Sequence, residues 1–178
     1  MSTPAPDHVA TASQTAGPFL HIGFAHLCRD EIVSASDDAT VVSITGRMID
    51  GDGAPVPDAA LEIWQPDADG TSDQRGARGF GRVYTNDDGR FRFTTVRPGA
   101  SSGSAPHLVV TLFMRGLLQQ LVTRMYFPDD AANESDPVLA LVPSDRRHTL
   151  IARHGASEGV VEWDIVLQGE NETAFFTW

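Results

Sequence analysis

The sequence has 178 residues, 41% of them hydrophobic and 21% charged, with a formal net charge of -11. That length suits one domain around one sizeable core, and the composition is ordinary for a soluble globular chain. The negative charge argues against nucleic acid or an anionic membrane surface as a partner, and it obliges any anionic small ligand to find a local arginine.

Cys28 is the single cysteine, so neither an intrachain disulfide nor a cysteine metal cluster is available. It reads as a small, partly buried residue rather than a nucleophile. The start, Met1 to Asp7, lacks a basic region followed by an apolar run, and no apolar stretch is long enough for a membrane span. A cytoplasmic, soluble protein is expected.

Residues 1–18 are rich in Pro, Ala, Ser and Thr without any period, which predicts an extended arm laid against a partner or disordered. Phe19 to Leu27 begins to pack, with Leu20, Ile22 and Phe24 alternating, and residues 30–40 form an acidic loop. Val41 to Ile49 is a strand stopped by Asp50-Gly-Asp-Gly53, and residues 60–65 alternate Leu61 and Ile63 against Glu62 and Trp64. Residues 71–79 make a polar loop. Residues 81–85 and 90–96 flank Asn86-Asp-Asp-Gly89 and read as a hairpin, with Phe91, Phe93 and Thr95 inward.

A Gly/Ser-rich connection leads into Ala105 to Gly116, a strand apolar enough to be covered on both faces. Alternation sends His107, Val109, Thr111, Phe113 and Arg115 one way and Leu108, Val110, Leu112 and Met114 the other. Residues 117–127 predict another strand, and residues 138–142 are short and apolar. Residues 144–154 predict a helix capped by Ser144 and ended by Gly155. Residues 160–167 alternate again, and the apolar terminus Thr173 to Trp178 is expected to dock. Short strands divided by turn chemistry give an all-β class: an antiparallel β-sandwich over residues 19–178, with one short helix near 144–154 and an N-terminal arm over 1–18.

No nucleotide loop, nucleophile elbow or zinc spacing is present, and no two of the six histidines stand at i, i+2 or i, i+4. A second histidine two residues after His107 would put two imidazoles on one face, but that position is Val109. His107 alone reads as a core histidine. Arg115, closing an apolar strand, needs an anionic or aromatic partner, and an ion pair to one of the many carboxylates is the favoured reading from chemistry alone. His107 and Arg115 lie roughly 25 Å apart at about 3.3 Å per residue, so they cannot serve one small-molecule site within the chain.

Several fragments, in this order and spacing, are identified with a known family. They include Ser13-Gln-Thr-Ala-Gly-Pro18, Ile44-Thr-Gly-Arg47, Glu62 to Gly70, Phe80-Gly-Arg82, Thr95-Val-Arg-Pro-Gly99, Ala105-Pro-His107, Phe113-Met-Arg-Gly116, Arg124-Met-Tyr-Phe127 and Trp163 to Gly169. Together they resemble the intradiol ring-cleavage dioxygenases over nearly the whole chain. The resemblance implies the family's β-sandwich and its chemistry: cleavage of 3,4-dihydroxybenzoate (protocatechuate) between its hydroxylated carbons with O2, giving 3-carboxy-cis,cis-muconate.

Iron-bearing members hold Fe(III) with two tyrosinates and a His-x-His pair. Here only His107 matches, Val109 replaces the second histidine, Ala100-Ser101 replaces one tyrosine, and residues 71–79 contain no other. One ligand of four cannot hold ferric iron. The chain is therefore similar to the alpha type of the family, which pairs with a homologous iron-bearing beta chain in a hetero-oligomer and borders its active site. The resemblance carries Thr15, Gly17, Pro18 and Arg115 over as residues lining the substrate, with Arg115 as the catalytic candidate and no metal ligand. Two other readings are a β-sandwich interaction module without a site-lining role, and a self-sufficient metalloenzyme using His107.

Overall fold

The structure, a computed structural model, describes residues 11–32, 39–72 and 78–177. The first ten residues of the expected arm, the acidic loop over 33–38, the polar loop over 73–77 and Trp178 lie outside the described residues.

Among the described residues, two short α-helices, α1 (Pro18–Phe24) and α2 (Pro137–Leu141), accompany ten strands. The strands are β1 (Glu31–Ile32), β2 (Val41–Ile49), β3 (Ala60–Trp64), β4 (Phe80–Tyr84), β5 (Arg90–Val96), β6 (His107–Phe113), β7 (Leu121–Tyr126), β8 (Arg153–His154), β9 (Val160–Glu162) and β10 (Ile165–Val166). They form a β-sandwich. One sheet runs β4-β3-β6-β7, and the other runs β1-β5-β2-β9-β8 with β10 also on β2.

Leu108, Val110 and Leu112 of β6 point into the interior, where they join Ile44, Leu61, Ile63, Phe91, Phe93, Met125 and Trp163. Burying each such side chain contributes about 1.5–3 kcal/mol. The opposite face of β6 is only partly covered: Val109, Thr111 and Phe113 are half-buried. The strand is thus sealed on one face, not on both.

Several local expectations change. The all-antiparallel pattern holds for the four-stranded sheet, but β1 runs parallel to β5, and β9 and β10 run parallel to β2. β4 and β5 do not make a hairpin. The turn after β4 carries the chain from one sheet to the other, so β4 pairs with β3 while β5 pairs with β2. Phe91 and Phe93 still face inward, because inwardness depends only on alternation.

Residues 144–154 hold no α-helix: a turn leads into the 3-10 helix Arg147–Leu150 and then β8. The α-helix sits just upstream, where the carboxylate of Asp136 accepts from the N–H groups of Val138 and Leu139 and Pro137 takes the first helical position. Phe19 to Leu27, expected to begin the packing, lie in α1 and the 3-10 turn Ala25–Leu27, and none of these residues is buried. The strand expected over 117–127 starts at Leu121, after a turn. Cys28 is exposed.

The apolar terminus does dock: Phe176 N–H donates to Val122 O at 2.8 Å, and Ala174 and Phe176 join Tyr126, Leu139 and Leu150 in a second core cluster. Among the described residues no helix is long and apolar enough to cross a membrane.

Candidate functional site

His107 and Arg115 lie at opposite ends of β6, and each end has its own surroundings. Side-by-side register decides them. A row across the sheet runs Phe80, Trp64, Val109, Arg124, and at the other end a row runs Tyr84, Ala60, Phe113.

At the first end His107 is buried, with Nδ1 2.7 Å from Ala105 O. A carbonyl only accepts, so Nδ1 carries the proton and Nε2 is the acceptor. Burial, with Arg124 adding repulsion, lowers the pKa of His107 and outweighs the bond to Ala105, so the ring is neutral near pH 7. Metal-binding histidines are commonly held in this tautomer, with a carbonyl on the second nitrogen.

The remaining donors do not follow. Tyr126 is fully buried. Its hydroxyl donates to Asp136 Oδ1 at 3.0 Å, and its pKa is pushed up to about 12 by burial, which disfavours a phenolate. Tyr84 stacks on His21 at 4.1 Å near the other end of the sheet, donates to Leu20 O at 3.1 Å, and is also raised by burial. Among the described residues no group of three or more His, Cys, Asp or Glu is arranged to hold a metal. Arg124, cross-strand partner of Val109, adds a fixed positive charge on the same face. This donor set does not fit ferric iron, which needs anionic oxygen. What the row does border is a cavity of about 290 Å³ lined by Trp64, Arg78, Ser104, His107, Val109 and Arg124 among others.

At the second end the chain turns, with Gly116 at φ +94°. The arm is fastened here. Thr15 Oγ1 accepts from Gly116 N–H at 2.7 Å, and its hydroxyl donates to Met114 O at 3.5 Å. Gly17 caps α1 through its carbonyl, which accepts from Leu20 N–H at 3.0 Å, and Pro18 opens the helix. From α1, His21 Nδ1–H donates to Asp58 Oδ1 at 2.5 Å. The other oxygen of Asp58 lies 3.6 Å from Arg115 Nη2.

All four substrate-lining candidates, Thr15, Gly17, Pro18 and Arg115, are thereby gathered at one end of the four-stranded sheet, past the close of β6. The ion pair that sequence chemistry favoured for Arg115 exists but is loose, and 63% of the side chain stays exposed. A Cβ built on Gly17 meets nothing within 4 Å, so nothing in this chain requires a glycine there. Beside these residues Phe19 and Ile22 are 81% and 70% exposed.

Sequence reasoning gave no role to Asp58, His21, Trp64 or Arg124. Asp58 was one carboxylate among 24 acidic residues, with nothing local to mark it. Arg124 opens the family-like run Arg124-Met-Tyr-Phe127, but its position beside Val109 follows only from the pairing of β6 with β7. Several family-like fragments serve the fold instead. Glu62 and Arg82 pair across β3 and β4 at 2.5 Å. Gln65 accepts from Thr95 Oγ1 at 2.8 Å and donates to Val96 O at 2.9 Å.

The Dioxygenase family model matches residues 16–169. A curated relative, the protocatechuate 3,4-dioxygenase alpha chain of Burkholderia cepacia, is 40% identical over 93% of this chain and 96% of its own length. The beta chain of that enzyme from the same organism is 36% identical over 90% of this chain and 77% of its own. Among solved structures, the dioxygenase domain of a dioxygenase–carbohydrate-binding fusion from Streptomyces sp. SirexAA-E superposes with a TM-score of 0.68 at 26% identity, covering 83% of this chain and 89% of that one.

Proposed function

The chain belongs to the intradiol ring-cleavage dioxygenases, and from that premise we propose that it is the alpha subunit of a protocatechuate 3,4-dioxygenase. In this reading a homologous beta subunit holds Fe(III), and the two assemble as a hetero-oligomer. Protocatechuate and O2 react in the beta subunit's site, and this chain forms one wall of it. Iron, when bound there, supplies charge stabilisation and holds the catechol oxygens. This chain's share is positioning and electrostatics.

The observation that carries the reading is the convergence of arm and strand end. Thr15 is fixed to Gly116, and His21 of α1 and Arg115 share the carboxylate of Asp58. Five residues from three separate stretches are thus tied together, and the Arg115 guanidinium among them stays exposed. The guanidinium would pair with the substrate carboxylate or with anionic charge developing during cleavage. Gly17, unconstrained from within, would let a neighbouring chain or substrate approach its backbone closely. The exposed Phe19 and Ile22 would provide apolar area for the contact. The poor fit of the His107 end to ferric iron agrees with a beta subunit carrying the metal.

Expression of this chain alone and together with a homologous chain retaining His-x-His and both tyrosines tests the proposal. Iron and protocatechuate turnover are expected only with both chains. Stoichiometric iron in this chain alone, with a tyrosinate-to-iron absorption band, would overturn it.

A further inference from the structure

We propose that His21 is a positioning residue for Arg115. By holding one oxygen of Asp58, it keeps that carboxylate from closing fully on the guanidinium and leaves Arg115 free to meet an anionic group of the substrate. The inference rests on the reading above, in which Arg115 faces the substrate.

The distances describe a competition for one carboxylate. His21 Nδ1–H donates to Asp58 Oδ1 at 2.5 Å, a short charge-assisted bond, whereas Asp58 Oδ2 stands 3.6 Å from Arg115 Nη2. A guanidinium and a carboxylate with no other partner favour a two-point pairing that engages both oxygens. Here one oxygen is already engaged by the imidazole, and the contact with Arg115 is single and long. Asp58 is the only carboxylate paired with Arg115 among the described residues, so nothing else there draws the guanidinium in. The imidazole therefore decides how much of the carboxylate Arg115 receives.

His21 can act in this way because its ring is held independently of Asp58. It stacks on Tyr84 with ring centroids 4.1 Å apart and planes 12° from parallel. The Tyr84 hydroxyl donates to Leu20 O at 3.1 Å, so the same phenol fixes the backbone beside His21. Farther along α1, the Arg82 guanidinium lies over the Phe24 ring at 4.9 Å. With no α1 residue buried, contacts of this kind rather than core packing seat the helix.

Asp58 is anchored from its own side. Its N–H donates to Thr85 O at 3.1 Å, and the next N–H, of Ala59, donates to Thr85 Oγ1 at 2.9 Å. Both partners are thus placed before they meet. The bond between them is not what docks the helix, and its effect falls on the third member, Arg115.

The test is a kinetic cycle on the complex with a homologous chain that retains His-x-His and both tyrosines, with protocatechuate as substrate. His21→Phe keeps an aromatic ring on Tyr84 and removes the donor to Asp58. It is expected to lower kcat/KM by about three- to tenfold with an unchanged size-exclusion profile. His21→Asn loses the ring but offers an amide N–H close to the position of Nδ1, and it is expected to recover most of that loss. In an Arg115→Ala background, His21→Phe is expected to cause no further fall, because residues that act through one another do not add.

Parental kinetics in His21→Phe, an Asn variant as impaired as the Phe variant, or losses that add in the double variant would each overturn the inference while leaving the role of Arg115 standing. Parental kinetics in Arg115→Ala would instead overturn the reading beneath it, and the inference with it. Should His21→Phe not assemble, His21→Leu takes its place in the cycle with the same expected and overturning results.

Discussion

Asp58 holds Arg115 by one carboxylate oxygen, at 3.6 Å from Nη2, while its other oxygen takes Nδ1–H of His21 at 2.5 Å. The carboxylate is therefore a hinge pin between the end of β6 and helix α1. Asp58 sits at φ 60°, and its N–H donates to Thr85 O at 3.1 Å, so its own backbone is fixed from the other side. The contact orients Arg115 without neutralising it completely. An exposed pair of this kind stabilises the fold by only about 0–1 kcal/mol, which points to orientation as its use.

Replacing the guanidinium should therefore affect turnover more than folding. Arg115→Ala is expected to lower kcat/KM of the co-expressed complex for protocatechuate by about tenfold or more, through loss of a charge-assisted contact. Size-exclusion profile and melting temperature should remain those of the parent. Steady-state kinetics indistinguishable from the parent would remove Arg115 from the site.

The hinge pin can be altered while the cation stays. Asn tolerates positive φ as Asp does, so Asp58→Asn keeps the backbone and removes the charge facing Arg115 and His21. The expected result is a several-fold fall in kcat/KM with a stability change within about 0.5 kcal/mol. The check is kinetics alongside urea denaturation; a large stability loss with normal kinetics would contradict the orienting role.

Restoring one missing histidine should not restore a metal site. Val109→His would place two imidazoles on one face of β6, but no phenolate accompanies them and Arg124 stands directly opposite. Iron content of this variant, measured after loading with ferric or ferrous salt, should stay far below one per chain. A visible tyrosinate-to-iron band would refute that expectation.

Asp136 is a structural carboxylate whose contribution depends on pH. Burial acts to raise its pKa, but donation from Leu139 N–H, Ala105 N–H, the Tyr126 hydroxyl and Val138 N–H outweighs it and holds the carboxyl below the ordinary value of 3.8. A depressed folded pKa means the stabilisation is complete above the unfolded value and is lost as pH falls through the folded one. Denaturation of the parent and of Asp136→Asn at pH 7, 4 and 3 should show the gap between them narrowing toward acid. A gap independent of pH would exclude the charge as its source.

Gly46 tests the packing of the sandwich. A Cβ there would lie 1.9 Å from Trp163 O and 2.6 Å from Phe91 Cζ, a backbone and a core collision at once. Gly46→Ala is expected to cost about 1–3 kcal/mol or more in chemical denaturation. A neutral substitution would mean that β2 and the Trp163 segment can separate without loss.

Alternation and turn residues settled what depends on neighbours in the chain. Leu61 and Ile63, Phe91 and Phe93, and Leu108, Val110 and Leu112 all face inward because a strand's two faces are set by its own pleat. The vacancy at Val109 and the want of tyrosines in the matching loops were equally plain from the order of residues, and so was the family. Partners brought together by pairing were not legible. Asn86-Asp-Asp-Gly89 looked like a hairpin turn, yet the strands on either side enter different sheets, since a tight turn does not specify which strand each arm pairs with. Phe19 to Leu27 looked like the start of the packed region through the alternation of Leu20, Ile22 and Phe24, yet Pro18 and the cap at Gly17 start a helix none of whose residues is buried. The sequence alone therefore named Arg115 and the loss of the metal donors. Only the tertiary structure could tie Arg115 to Asp58 and set Arg124 beside Val109, because register and sheet order are long-range choices made by the packed core.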